Sequence, residues 1–560
     1  MRRPAGLRKP AGQTAPKPRD AKTVTFPAPI GGWIRNQNLS TPGARMPDGS
    51  KVSGAFVLEN YFPTATGIRM RGGSNLYATI GDGTLPVTAS FTYVNGNNQK
   101  LFATTAAALY DITSVTYTDN MQLATEAGDQ IVNENGLVLT VEGVPAVLES
   151  FNGGDWSVVQ FATPGGVFLR AVNGADTPLA FDGTSWGVTP AITGVDPATL
   201  SFVWVHQRRM FFIKKDSLSA YYLPADSIGG AAVELPLGGV FSRGGSLLFG
   251  STWSIETGNG LNEQCIFVTT EGEAAIYQGT DPSLSTAWSK VGVYRIGRPL
   301  GAKAHIRAGG DLVIATDIGF VPLSQAIQRD ISALSPSAVS YPIETAWNEA
   351  VAARPSGWAC EVWPTKQMAI VALPTNGTDQ PQMFAANART GAWGLFTGWD
   401  GRSVVLFRDR FFFGSSGGKI VEAEVSGADQ GKPYTSACVP LHETLKAPAS
   451  LKTSLLMRAT LRAPSEIVPR LSLQRDYKVS LPGAPDAIAV SGSGVWGGGV
   501  WGQSQWGGVA EKNIYQRWQS VGGSGYAIAP GVQITSGSLV APDVELVSID
   551  VTYDQGDIVT

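Results

Sequence analysis

The chain has 560 residues and a formal net charge of −3, with 67 glycines and only 16% charged residues, well under the usual share of about 25%. Its three cysteines, Cys265, Cys360 and Cys438, lie far apart with no CxxC spacing, which points away from a disulfide framework or a zinc site. No run of 18 apolar residues exists to form a membrane-spanning helix, and a turn-rich chain of low charge suits an all-β structural or assembly protein better than a helical enzyme.

Residues 1–22 hold seven Lys/Arg against one Asp, so the remainder carries 35 basic and 44 acidic residues, a balance of −9. Rich in Pro and Gly and nearly free of apolar bulk, this arm is expected to be disordered. Arg2, Arg3, Arg8, Lys9, Lys17 and Arg19 are its candidate contacts to an acidic protein neighbour or to nucleic acid, the alternative being a solvated tail. It lacks the apolar core of a secretory signal. Residues 23–90 form a leading segment, PAPIGGWIRNQNL from Pro27 and AFVLENYFPTATGIRMRGGSNLYATIG from Ala55, expected to supply strands to a platform near the C-terminus.

From 91 to 425 the chain is a string of short apolar runs cut by turns. An apolar run, a Gly/Asn/Asp turn and a second apolar run recur from Leu101, Leu137, Phe168, Met210, Cys265, Leu312 and Phe411, seven hairpins in all. Phe151-Asn-Gly-Gly-Asp-Trp156 and Phe181-Asp-Gly-Thr-Ser-Trp186 share a tight turn whose Trp can cap a sheet. The stretch from Gln382 to Glu424 reads as the four short strands of one propeller blade. At about 45 residues per blade, the region predicts a β-propeller of roughly seven blades, six or eight also fitting. Within 323–354, Ile327, Ile331 and Leu334, then Ile343, Trp347, Ala350 and Val351, space out as apolar helix stripes, a short helical insertion packed on a blade edge.

Residues 426–445, opening with SGADQGKPY, read as a polar linker. Residues 446–560 carry longer strands, Ser454–Arg462, Pro469–Gln474, Ile514–Ser520, Gly525–Ser536 and Val544–Tyr553, and predict a small β-sandwich. The Gly-rich loop 494–508 spaces Trp496, Trp501 and Trp506 by five, as aromatic anchors for a partner or as rings folded back on the sandwich.

Chemistry-bearing patterns are sparse. His206, His305 and His442 are the only histidines and none has metal-ligand or base-plus-nucleophile spacing; His206 reads as a satisfied core or edge residue. Neither a P-loop nor G-x-S-x-G occurs. No catalytic, cofactor-binding or metal-ligating residue is singled out. The enzyme alternative is a propeller glycosidase, since Asp182-Gly-Thr-Ser-Trp186 is faintly similar to an Asp-box turn, with Glu271 and Glu273 as candidate carboxylates. A propeller binding carbohydrate through its tryptophans is a further alternative.

Asn60-Tyr-Phe-Pro63 followed by Gly67, Arg69, Arg71 and Gly72-Gly73 resembles the start of tail nozzle (tail hub) proteins of short-tailed bacteriophages. Three later parts agree in order: Gly319-Phe-Val-Pro-Leu-Ser324 with Tyr341-Pro-Ile343 and Trp347; Trp393-Gly-Leu-Phe-Thr-Gly-Trp399 with Phe412-Phe-Gly414; and Val495-Trp-Gly-Gly-Gly-Val-Trp-Gly502 with Trp506. The resemblance touches most of 27–560 and leaves the basic arm outside it. It implies a structural virion protein with no enzymatic activity, a hexameric ring below adaptor and portal-side proteins that carries fibres or spikes in some tails. Such a ring encloses the channel through which DNA leaves and retains packaged DNA until ejection.

Overall fold

The structure, a computed structural model, describes residues 21–36, 53–115, 143–256, 261–375, 379–488, 512–538 and 540–558. Seven small antiparallel sheets succeed one another from Ala89 to Ser426. The first runs Ala89–Asn95, Asn98–Thr104, Ala108–Asp111 and Ala146–Glu149; the second Ser157–Thr163, Gly166–Val172, Leu179–Phe181 and Trp186–Gly187. The third is Leu200–His206, Arg209–Lys214, Ser219–Tyr222 and Val233–Pro236; the fourth Leu247–Glu256, Leu261–Thr269, Glu273–Gly279 and Trp288–Arg295. The fifth has only three strands, His305–Ala308, Asp311–Thr316 and Gly319–Pro322. The sixth is Ala359–Trp363, Met368–Ala372, Gln382–Asn387 and Trp393–Thr397; the seventh Ser403–Phe407, Arg410–Gly414 and Lys419–Ser426, completed by Gly73–Thr79. Six four-stranded blades and one three-stranded blade thus form a β-propeller.

First strands pack against one another around the wheel, except that Leu247–Glu256 of the fourth blade meets Asp311–Thr316, the second strand of the fifth, and Ser403–Phe407 of the seventh returns to Ala89–Asn95 of the first. Closure is made twice over. Gly73–Thr79, which precedes the first blade, is the fourth strand of the last, with Thr79 opposite Lys419 and Asn75 opposite Glu422. The Ser90 and Ser403 hydroxyls also meet at 2.9 Å across the seam. Between blades lie apolar layers such as Phe202, Trp204, Phe211, Phe249, Phe267 and Ile276. Short aromatic and β-branched strands bury both faces in such layers, which is why alternation is weak and continuous apolar runs dominate.

The platform is a two-layer sandwich. One layer joins Lys22–Pro27, Tyr61–Pro63, Ile68–Met70, Ser450–Ala463, Asn513–Gln516, Gln519–Gly525 and Glu545–Ile558. The other joins Ala55–Glu59, Tyr434–Pro440, Ile528–Ser536, Arg470–Arg475 and Ala487–Ile488, and does not stop at the domain border. Glu59 pairs in parallel with Leu395, so this layer and the sixth blade are a single nine-stranded sheet. The core is continuous as well: Phe26, Leu58, Met457, Val532 and Ile549 of the sandwich belong to one buried cluster with Trp347, Trp358 and Trp393 beside the wheel. The helix Glu344–Ala353 and the short helix Leu323–Gln328 sit in the 323–354 insertion, with Trp347 donating its indole N–H to the Thr316 carbonyl at 2.9 Å.

Four expectations need correction. The stretch Gln382–Glu424 is not one blade; it holds the two outer strands of the sixth and the first three of the seventh, the crossing falling at Trp399–Gly401. Residues 426–445 are not a linker, because Tyr434–Pro440 is a nearly fully buried strand between Ala55–Glu59 and Ile528–Ser536. Of the polar residues before it, Asp429 is bonded to Arg71, Ser74 and Trp399, while Gln430 and Lys432 stay exposed. The segment 23–90 does not serve the platform alone, since Gly73–Thr79 belongs to the wheel and the first blade already begins at Ala89. The hairpin expected from Leu137 lies outside the described residues up to 142, and the chain beyond it contributes only the outer strand Ala146–Glu149.

Candidate functional site

The densest polar constellation among the described residues is the joint where platform, sixth blade and seventh blade meet, and Asn60 and Arg71 build it. Asn60 sits at φ +56, a conformation Asn tolerates better than most residues. Its Oδ1 accepts from Arg71 Nε at 2.8 Å and from the Thr397 amide at 2.9 Å. Its Nδ2 donates to Thr397 Oγ1 at 2.9 Å and to the Thr435 carbonyl at 2.8 Å.

Arg71 is fully buried, yet all five of its N–H donors are used. Besides Asn60, Nη1 donates to the Gly72 carbonyl at 2.9 Å and Asp429 Oδ1 at 3.0 Å, and Nη2 to the Thr397 carbonyl at 2.8 Å and Asp429 Oδ2 at 2.6 Å. This is the fork-on-carboxylate geometry in which a buried guanidinium is tolerated. Its flat faces lie 4.0 Å from the Tyr434 ring centre and 4.7 Å from that of Trp399, adding cation–π attraction in a desolvated setting. Asp429 also accepts from Ser74 Oγ at 3.1 Å and Trp399 Nε1 at 3.0 Å, and the Tyr434 hydroxyl donates to the Arg71 carbonyl. Burial pushes the Tyr434 phenol well above its ordinary value, keeping it a donor.

A second ion pair flanks the first. Arg69 meets Glu424 at 2.7 Å, and Glu424 Oε1 accepts from the Gly72 amide at 2.8 Å. Burial alone would raise the Glu424 carboxyl, but Arg69 and that amide hold it below its ordinary value. Gly72 and Gly73 are required by close approach: a Cβ on Gly72 would lie 2.7 Å from Glu424 Cα, and one on Gly73 would collide with the Ala428 carbonyl. The joint opens to solvent in a cleft of about 440 Å³ between Arg69, Lys366, Asn387 and Asp543.

A second polar site is the hub of the wheel, a cavity of about 330 Å³ bordered by first-strand residues including Ser90, Ser157, Phe202, His305, Glu361 and Ser403. Lys303 reaches to Asp155 Oδ1 at 2.6 Å and to the Thr88 carbonyl at 3.2 Å beside it.

Most of the residues weighed for chemistry have structural partners, although both ring nitrogens of His442 are without a hydrogen bond among the described residues. His206 is buried, with Nε2 donating to the Gly279 carbonyl at 3.2 Å and Nδ1 3.3 Å from Thr252 Oγ1; burial lowers it to about 4. His305 stacks on Phe249 at 4.4 Å and is likewise lowered to about 4 by burial, as is His442. Glu273 accepts from the Ser242 hydroxyl at 2.6 Å and the Arg243 amide at 2.9 Å; burial would raise it, but these donors hold it below its ordinary value, opposite to what a general acid needs. Asp182 accepts from the Thr184 and Ser185 amides at 2.8 and 2.7 Å, a local turn, and the Phe151–Trp156 and Phe181–Trp186 ring pairs stand 5.0 and 5.1 Å apart.

Arg2, Arg3, Arg8, Lys9, Lys17, Arg19, Trp496, Trp501 and Trp506 lie outside the described residues. Asp429 and Lys303 were not anticipated. For Asp429 the signal is indirect: Arg71 lies between the strands Ile68–Met70 and Gly73–Thr79 and is followed by two glycines, a buried cation is best matched by a carboxylate, and the polar run 426–434 holds one.

No protein-family model matches the chain, and no curated protein matches it by sequence. Among solved structures it is similar to "YCF48 bound to D1 peptide", at 12% identity and a TM-score of 0.32 over 62% of this chain and 94% of that one. It is also similar to the Cps50 (Swd1) β-propeller domain of Myceliophteria thermophila, at 10% identity and a TM-score of 0.34 over 63% and 100%. A third is BBS1N in complex with ARL6DN, soaked with lead, at 12% identity and a TM-score of 0.23 over 44% and 72%. The class, a β-propeller protein, rests on the ring of blades itself.

Proposed function

We propose that the protein is a structural component of a virion, the nozzle or hub subunit of a short phage tail, where a ring of about six copies forms the DNA exit channel and retains packaged DNA until ejection. One observation carries the reading: Asn60, Arg69, Arg71 and Gly72-Gly73, which bear the sequence resemblance, tie wheel to platform through a fully paired buried network. A subunit welded by this network and by a shared nine-stranded sheet is a stiff wedge, and cyclic contacts between identical wedges close into a ring. The hub cavity is far too small for a duplex, so in this reading the conduit lies between copies. The chain beyond residue 22 carries a balance of −9, and such a wall would let DNA slide without gripping its phosphates. Adaptor and portal-side tail proteins are the proposed neighbours, with the basic arm docking on one of them.

The test is the mass of the purified protein in solution, alone and with neighbouring tail components. Closed rings of about six copies support the reading, and a monomer that assembles under neither condition overturns it. Turnover of a glycoside, abolished by one Asp or Glu substitution, would favour the glycosidase alternative.

A further inference from the structure

The cleft beside the joint is bordered by an arginine with one edge unspent. Arg69 lies in the platform strand Ile68–Met70, and its Nη1 donates to Glu424 Oε2 at 2.7 Å and to the Met70 carbonyl at 3.4 Å. Its Nε and Nη2 have no hydrogen-bond partner among the described residues, and neither is cut off from solvent. The Nε–Nη2 edge is the fork that takes a carboxylate or phosphate through two parallel hydrogen bonds. Elsewhere in the chain that edge is filled in this way, by Asp226 on Arg208 and by Glu422 on Arg410. On Arg69 it is open, beside a cleft of about 440 Å³.

The charges around the cleft favour an anion. Lys366, in the turn between the first two strands of the sixth blade, is exposed and borders the same cleft. Its ammonium has no carboxylate partner among the described residues and stands 5.6 Å from the Trp363 ring. Both carboxylates of the cleft are engaged. Glu424, 2% exposed, has one oxygen on Arg69 and the other on the Gly72 amide, while Asp543 Oδ1 accepts from Lys512 at 2.6 Å. Three cations, Arg69, Lys366 and Lys512, against these two carboxylates leave an excess of +1, in a chain whose net charge is −3.

We propose that this cleft is a binding site for a small oxyanion, a carboxylate or a phosphate, gripped by the open edge of Arg69 and by the Lys366 ammonium. Two acceptor oxygens fit the fork, and the second cation supplies the matching charge. Glu424 and the Met70 carbonyl hold the guanidinium in place, so little side-chain freedom is left to lose on binding. Walls from both platform and blade screen the contacts from solvent more than an open surface would. The site lies within one subunit and does not rest on the tail reading.

Titration calorimetry of the full chain with inorganic phosphate and, separately, with succinate tests the site. At least one of the two probes is expected to bind at a single site on each chain, and heat from only one of them identifies which oxyanion the fork takes. Lys366→Ala, at an exposed position that leaves the joint intact, is expected to weaken this binding roughly tenfold. Asp543→Asn removes a half-exposed negative charge from the cleft and is expected to strengthen it roughly threefold. Absence of heat with both probes overturns the proposal. So does an affinity that Lys366→Ala leaves unchanged, which marks an adventitious ion only.

Discussion

The Arg71 guanidinium and the Asp429 carboxylate, 358 positions apart in the chain, meet through two hydrogen bonds of 2.6 and 3.0 Å. Among the described residues Asp429 is the sole carboxylate on a guanidinium that is otherwise held by neutral oxygens and aromatic faces. Removing it while leaving the cation buried should be costly. Asp429→Asn is expected to lower the unfolding free energy by about 3–5 kcal/mol, read as a shift of the urea midpoint. Arg71→Lys should lose nearly as much, because an ammonium cannot span the fork or lie flat between Tyr434 and Trp399. A loss under about 1 kcal/mol for both would contradict the role assigned to the pair.

Gly73 tests the same joint without touching charge. A methyl there would run into the backbone of Ala428, which has no flexible side chain to yield. Gly73→Ala is expected to cost about 1–3 kcal/mol, and to raise hydrogen exchange in Gly73–Thr79 and Lys419–Ser426 ahead of the first four blades, because it loosens the strand that closes the ring. Uniform exchange throughout the wheel would argue that closure does not depend on this contact.

The wheel was legible in the chain because one hairpin per blade keeps its form. Those from Leu101, Phe168, Met210, Cys265, Leu312 and Phe411 all join second to third strands of a blade. The sixth blade escaped the pattern because nine residues, Leu373–Pro381, separate Met368–Ala372 from Gln382–Asn387 and dilute the turn. Blade borders were less readable for a physical reason. The crossing from outer to inner strand at Trp399-Asp400-Gly401 has the same composition as a turn within a blade, and only the pairing of Gly73–Thr79 with Lys419–Ser426 distinguishes them. At the joint, Asn60, Arg71 and the glycines could be picked out by pattern. Asp429 was harder to single out, because a carboxylate in a Gly-rich polar run looks solvated until its partner is known.

Acid should weaken the fold through His206. The folded-state value is about 4, below the unfolded 6.5, because burial disfavours the imidazolium and the Gly279 carbonyl offsets this only in part. The folded protein therefore resists a proton that the unfolded chain accepts. Stability is undiminished above about pH 6.5 and falls as the pH drops from there through 4, by up to about 3 kcal/mol for this residue. Glu424, held below its ordinary value, adds a further loss at lower pH as its carboxylate is protonated and Arg69 is left unpaired. Because burial lowers His305 and His442 to about 4 as well, His206→Gln should remove roughly a third of the decline between pH 6.5 and 4 in urea titrations, and an unchanged slope would exclude His206 as a contributor.

Arg170 presents the opposite case to Arg71. It lies in the second blade with Val159 and Ala180 opposite it on the neighbouring strands, is 1% exposed, and none of its three nitrogens has a hydrogen-bond partner among the described residues. Burial pushes the guanidinium down to about 10. Because that value lies below the ordinary guanidinium value, the charged form is a cost to the folded state at every pH below about 10, relieved only as the pH rises through 10. An apolar side chain of similar length removes the cost and keeps the packing. Arg170→Met is therefore expected to stabilise the protein by roughly 1–4 kcal/mol at neutral pH, seen as a higher urea midpoint with an unchanged slope. A destabilised variant would show that the guanidinium is held by a group other than its described neighbours.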